Sequence, residues 1–330
     1  MKKIIINVLI FFMIMTITGC KKNNNIEESF VKKVNDLESY KLVGKLETNF
    51  PSGIKECLVT VYYKKPNLFR VELLNANSVE GQIMVKNNDG VHVIIPSINK
   101  TFKVNSNWPN NSSYPYLLQS LANDIVSDDN IVSNNDGNYT TLELKAKLFN
   151  RDDGNTQKIV FDHTNTPKEI FIYNKNNELL SNFKITSLEE NLSIDDTIFN
   201  TSETLETLNT YYQDNPLTYD RTINYPTYYP EGTSLKEEVI KGDSSNKSAI
   251  MTFSGNVSYT IAQKYINNSD SQIVEYINGD IYVTEGMFII VDTNNVTFYN
   301  EGIQYTIASN NLELIEMIKM ANSFKTTDIK

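Results

Sequence analysis

The stretch "YKLVGKLETNFPSGIKECLVTVYY" (residues 40–63) decides the fold. Tyr40, Leu42, Leu46 and Phe50 alternate with Lys41, Lys45, Glu47 and Asn49. That period of two is the mark of a strand with one face in water. Pro51-Ser52-Gly53 is a turn. Beyond it Cys57, Val59, Val61 and Tyr63 fall on one alternating face, and Cys57 reads as a buried strand thiol.

Outward from this hairpin, strands are expected near 68–74, 80–86, 91–95 and 100–104, then near 139–148, 157–163, 168–174 and 178–188. Closely spaced strands with short polar turns mean an antiparallel sheet. Two helical patterns interrupt them. Phe30, Val31, Val34 and Leu37 share one face over 27–39. "PYLLQSLANDIV" (115–126) carries the stripe Leu117, Leu118, Leu121 and Ile125, with proline at a tolerated first position. Two helices are enough to cover one face of such a sheet.

The pattern loosens in "NTSETLETLNTYYQDN" (200–215), which reads as a linker that includes one helical turn. "YPTYYPEGTSL" (225–235) opens a second unit. Its strands are expected near 236–241, 248–254, 257–264, 272–276, 280–283, 287–291, 295–299 and 302–307. Leu314, Met317, Ile318 and Ala321 then fall at helical spacing, so a closing helix within 310–324 should pack on the second sheet.

Composition agrees with a β-rich chain. The 330 residues leave room for two domains. Nineteen tyrosines and 15 phenylalanines stand against 13 glycines, and aromatic residues favour strands. The net charge of −10 argues against nucleic acid, which selects a basic footprint. It argues equally against broad electrostatic adhesion to anionic lipid.

Little in the sequence suggests catalysis. Two histidines, His92 and His163, and two cysteines cannot build a zinc site without carboxylates, and no HExxH spacing occurs. "GDSS" (242–245) has no later histidine to serve as base. The acid pairs Asp128-Asp129, Asp152-Asp153, Glu189-Glu190 and Asp195-Asp196 are adjacent residues in polar turns, not carboxylates across a cleft. "RDDGNT" (151–156) lacks the closing acid of a calcium loop. No enzyme, metal or cofactor is expected.

The N-terminus points to a membrane. Lys2 and Lys3 precede an uncharged, mostly apolar run over 4–16, the layout of a secretory signal. The run is short for a span, which takes about 20 residues. Ile17-Thr18-Gly19-Cys20 then resembles a bacterial lipobox. That resemblance implies cleavage before Cys20 and acylation of its thiol; the simpler alternative is a signal anchor with an incidental cysteine. Acyl chains bury about 0.8 kcal/mol per methylene, enough in combination for firm anchoring. The folded part would face outward from the cytoplasm.

Three blocks of the first unit resemble the LolA/LolB/RseB superfamily of extracytoplasmic lipoprotein carriers and sensors. They are "YYKKPNLFRVEL" (62–73), "NNDGVHVIIPSINKTFKV" (87–104) and "FDHTNTPKEIFIYNKNNELLSNFKITSLEENLSIDDTIF" (161–199). The second unit is similar to a small domain of Bacillus and Clostridium lipoproteins through "YPTYYPEG", "MTFSGNVSYTIAQ" and "GIQYTIASNNLELIEMIKMANSF". The pairing with a lipobox resembles sporulation lipoproteins of spore-forming Firmicutes and the germination lipoprotein GerS.

The resemblance implies an incomplete antiparallel β-barrel plugged by helices, plus a smaller C-terminal antiparallel sheet with a closing helix. The expected division is a signal peptide (1–19), a lipidated cysteine and tether (20–26), a half-barrel (27–199), a linker (200–216) and a C-terminal β-rich domain (217–330). Sorting between two membranes does not follow for a Gram-positive cell. GerS-like proteins imply instead a protein partner, such as a cortex-modifying amidase. The alternative is a carrier or sensor that holds a lipid or acylated ligand. Phe69, Val71, Leu73, Val93, Ile95, Leu117, Leu118, Leu121 and Ile125 would fill or line the space in question.

Overall fold

The computed structural model describes residues 26–75, 81–149, 151–214, 222–243, 246–266, 274–284 and 286–324. Cys20 and the rest of the leader lie outside the described residues. The first unit starts with helix α1 (Ile26–Asp36). It buries Ile26, Phe30 and Val34; of the face expected, Phe30 and Val34 are buried, Val31 is half-buried, and Leu37 is buried just past the helix end. Six strands follow: β1 (Ser39–Phe50), β2 (Gly53–Lys64), β3 (Leu68–Asn75), β4 (Gly81–Asn87), β5 (Gly90–Ile95) and β6 (Lys100–Asn105). Helix α2 spans Leu118–Ser127, three residues later than the proline at 115 suggested. Then come β7 (Val132–Asn135), β8 (Thr140–Leu148), β9 (Arg151–Phe161), β10 (Pro167–Tyr173) and β11 (Leu179–Glu190). The short exposed strand β7 was not expected.

The stretch expected as a linker carries a 14-residue helix, α3 (Thr201–Asp214). Asn200 accepts from the backbone N–H groups of Ser202 and Glu203, so a capping side chain starts this helix. Leu205 anchors it in a small outer core with Ile83, Val85, Ile94 and Phe199.

The second unit contains β12 (Thr233–Lys241), β13 (Ser248–Gly255), β14 (Tyr259–Tyr265), β15 (Val274–Asn278), β16 (Asp280–Thr284), β17 (Met287–Val291), β18 (Asn295–Asn300) and β19 (Ile303–Ala308). Helix α4 (Leu314–Ala321) closes the fold.

The protein is mainly β, with two sheets. Twelve strands run in the order β15-β6-β5-β4-β3-β2-β1-β11-β10-β9-β8-β7. Seven run in the order β12-β13-β14-β19-β18-β17-β16. The larger sheet is not closed, since β15 and β7 stand at its two ends. Its pairings are antiparallel except at one edge, where β15 from the second unit lies parallel to β6, Val274 opposite Thr101 through Asn278 opposite Asn105. The two units therefore share a sheet as well as a chain.

One glycine stands at an irregularity near the middle of this sheet. The β1–β11 register shifts between Val43 and Gly44. A Cβ at Gly44 would stand 2.3 Å from the Phe183 ring and 2.8 Å from the Lys184 carbonyl. Glycine is needed there because the ring takes the place of a side chain.

Candidate functional site

The expected cavity residues come together. Phe69, Val71 and Leu73 on β3, and Val93 and Ile95 on β5, face the concave side of the large sheet. Leu118, Leu121 and Ile125 approach them from α2, and Leu117 from its N-cap. All nine are buried and belong to one apolar core.

What fills that core is only partly what the sequence suggested. Helices α1 and α2 cover part of the concave face. Tyr40 donates its hydroxyl to Gln119 Oε1 at 2.8 Å, and Gln157 Nε2 donates to Asp124 Oδ2 at 2.7 Å, so polar bonds fix α2 on the sheet. Desolvation pushes the Asp124 carboxyl up to about 6, against the Gln157 bond that favours its charged form. A run of rings, Tyr63, Phe69, Trp108, Tyr114 and Tyr116, continues through the interior with centroids 4.9–6.0 Å apart.

The rest of the cover comes from the second unit. Ile281 and Val283 of β16, Phe288 and Ile290 of β17, and Tyr299 of β18 belong to the same core as the half-barrel. Tyr299 stacks on Phe102 at 4.2 Å. Gln82 on β4 bridges the two sheets from a buried position. Its Oε1 accepts from the Phe288 N–H at 2.8 Å, and its Nε2 donates to the Tyr299 carbonyl at 2.9 Å. Asn111 Nδ2 donates to Asp280 beside this seam. The opposite face of β17, Met287, Ile289 and Val291, belongs to the second core, which α4 closes. Strand β17 thus lies between two cores.

Sequence reasoning missed this plug, although a signal was present. "MFIIV" (287–291) is apolar at every position, and all five residues are buried. A continuous apolar strand means burial on both faces, not the half-exposed pattern of residues 40–50.

At the rim, a cavity of about 30 Å³ remains among Leu46, Tyr116, Leu148, Phe149, Ile281 and Tyr282. Pockets for small molecules run about 300–1,000 Å³. Outside the rim a groove is made of two adjoining hollows of about 590 Å³ and 430 Å³, with Phe149, Arg151 and Leu314 as the wall they share. Its apolar lining includes Phe50, Leu179 and Ile315, and its charged lining includes Arg151, Lys175, Glu313 and Asp280. Phe149 marks its centre at φ +52°, a left-handed backbone unusual for a bulky residue. Its ring touches both cores and lies 5.5 Å from the Tyr282 ring. Asp280 is raised above its ordinary value by desolvation, despite the bond from Asn111.

The remaining sequence candidates lie apart. Cys57 is buried on β2. His92 is buried on the outer side of β5, with its Nε2 hydrogen-bonded to Asp89 Oδ2 at 3.1 Å. Desolvation lowers its pKa, outweighing the pull of Asp89. His163 is exposed in a turn. Asp195 accepts from the Thr197 N–H at 3.0 Å and so caps a single helical turn. Ser244 and Ser245 of "GDSS" lie outside the described residues. Among the described residues, no group of three or more His, Cys, Asp or Glu side chains is placed to hold a metal. None of the described helices is long and apolar enough to cross a membrane.

The sequence profile of the family described as "Sporulation protein YdcC-like" matches residues 1–199. The chain belongs to the YdcC-like sporulation protein family. Sporulation protein YdcC of Bacillus subtilis (strain 168) is 26% identical over 320 residues, covering 96% of this chain and 94% of that relative. Among solved structures, the Pseudomonas aeruginosa MucA/MucB complex matches with 12% identity and a TM-score of 0.33, over 91% of this chain and 97% of that one. LolA superfamily protein NE2245 from Nitrosomonas europaea matches with 12% identity and a TM-score of 0.32, over 53% and 98%. The CwlD amidase from Clostridioides difficile in complex with the GerS lipoprotein matches with 12% identity and a TM-score of 0.28, over 52% and 95%.

Proposed function

We propose that this member of the sporulation family is a non-catalytic accessory protein, tethered by an acylated Cys20 to the outer face of the cell membrane, that works by binding a protein partner. One observation carries the reading. Among the described residues, the concave apolar face, the surface a lipid carrier would offer its cargo, is covered by α1, α2 and this chain's own β16 and β17, and the cavity at its rim measures about 30 Å³. The surface left for recognition is outside, above all the groove around Phe149 and Arg151. An envelope enzyme such as a cortex amidase is the class of partner we expect. The name of the Bacillus subtilis relative supports a role in spore formation.

A second reading, a carrier of an acylated ligand, is favoured by the size and partly apolar lining of that groove. Recovery of the tethered protein from membranes of sporulating cells separates the two. Mass spectrometry should find one protein at near-equal stoichiometry and lipid only at trace level. Lipid at near-equal stoichiometry, without a protein partner, would overturn the partner-binding reading.

A further inference from the structure

The seven-stranded sheet ends at β12, and among the described residues no strand pairs with its outer side. Eight of its nine residues are exposed. Natural sheets keep such edges short or charged because free N–H and C=O groups invite another strand. Here the edge is long and partly apolar. Leu235, Val239 and Ile240 are 37–50% exposed, and Ile250 beside them on β13 is 48% exposed.

The register with β13 fixes which side chains share a face. Glu237 stands opposite Thr252, Val239 opposite Ile250 and Lys241 opposite Ser248. Ala249 and Met251 lie between these and are buried on the other face. Glu237, Val239, Lys241 and Ile250 therefore occupy the face turned away from α4, with Val239 and Ile250 at its centre.

Symmetry narrows what can pair there. Two copies joined edge to edge by a two-fold axis keep their faces, so the antiparallel register must be centred on a residue. Centring on Glu237 or Glu238 sets two carboxylates opposite each other. Centring on Lys236 or Lys241 does the same with two ammonium groups. Like charges directly opposite are destabilising. Centring on Ile240 sets Glu238 against Gly242 and forms no ion pair, and Leu235 stands at the bulge in the β12–β13 register. Centring on Val239 sets valine on valine, adds Ile250 from each side and places Glu237 opposite Lys241 of the second copy, twice.

We propose that β12 pairs antiparallel with β12 of a second copy of this chain, centred on Val239, so that the two smaller sheets become one. This proposal is independent of the protein partner argued above.

Disulfide capture tests it on the full chain, extracted from cells in detergent and oxidised. Directly opposite residues have Cα atoms about 4.5–5.5 Å apart, within the range that a disulfide spans. Val239→Cys should therefore give a covalent dimer that the wild-type chain, with its own cysteines, does not give. Leu235→Cys should not, because its copy would lie roughly 26 Å along the strand. In the Val239→Cys chain, Glu237→Lys or Lys241→Glu alone should abolish most of the dimer, and the two together should restore it. No dimer at 239, equal dimer at 235 and 239, or no recovery in the charge-exchanged chain would each overturn the proposal. Capture at 239 of a different protein in place of a second copy would overturn it as well.

Discussion

Gln82→Ala tests whether the two units form one cooperative structure. Gln82 is 3% exposed and supplies both halves of a bridge, accepting from Phe288 and donating to Tyr299. Truncation leaves a backbone N–H and a backbone C=O in the buried seam without their partner. Each such group costs about 1–3 kcal/mol, so the loss should be about 2–6 kcal/mol. Unfolding entropy of about 2.1 cal/mol/K per residue converts this to a Tm drop of roughly 3–10 °C for a chain of this size. Trp108, the single tryptophan, sits fully buried in the half-barrel and reports on the first unit by fluorescence. Far-ultraviolet circular dichroism reports on both sheets. The two melts should coincide in the wild-type chain and fall together in the variant. A variant Tm within 1 °C of wild type would refute the bridge. Circular dichroism falling while Trp108 fluorescence stayed in place would refute the shared core.

Three further outcomes follow from the same geometry. Leu121→Ala, at a fully buried position on α2, should cost about 2–5 kcal/mol in chemical denaturation without creating affinity for fatty acids in a thermal-shift titration. Asp124 has its folded pKa raised to about 6 from an ordinary 3.8, so it favours the folded state below pH 4 and that contribution is lost as pH rises through 6. The difference is about 3 kcal/mol at most. Asp124→Asn should accordingly be more stable than wild type at pH 7.5 and lose that advantage at pH 4, measured by urea unfolding at both values. Cys20→Ala should abolish incorporation of radiolabelled palmitate and leave a longer precursor; label in the variant would refute the lipobox reading.

The first sheet was legible because its strands alternate. Residues 40–63 show one wet face and one dry face, and the structure pairs Tyr40 with Tyr63 through Phe50 with Gly53 as that pattern requires. Phe69, Val71, Leu73, Val93 and Ile95 alternate in the same way along β3 and β5, whereas Leu117, Leu118, Leu121 and Ile125 follow a helical stripe. Helix α3 was not legible, because "NTSETLETLNTYYQDN" offers a weak apolar stripe. Tertiary contact decides its state: Leu205 enters the outer core, and Arg70 on β3 donates to the Thr204 hydroxyl at 2.7 Å. Strand β7 escaped notice because all four of its residues are exposed and carry no burial pattern. The groove was hidden for a different reason. It forms between the turn after β1, the turn after β8 and helix α4, which are far apart in sequence.

The location of the site follows from how the interior is filled. A sheet with one curved apolar face must cover that face with something, because exposed apolar area of that size would not remain in water. Helices α1 and α2 cover only part of it, and the chain supplies the remainder from β16 and β17. Two strands from the second unit also fix its position, since β15 joins the large sheet while β16, directly after Gly279, joins the small one. A backbone that changes sheets within two residues holds both at a fixed seam. On the partner-binding reading proposed above, recognition falls to the rim around Phe149, and the proposed self-pairing to the exposed edge of β12. An acyl ligand inside the half-barrel would have to displace Ile281, Val283, Phe288 and Ile290. Burying each such side chain is worth about 1.5–3 kcal/mol, so four together set about 6–12 kcal/mol against any occupant.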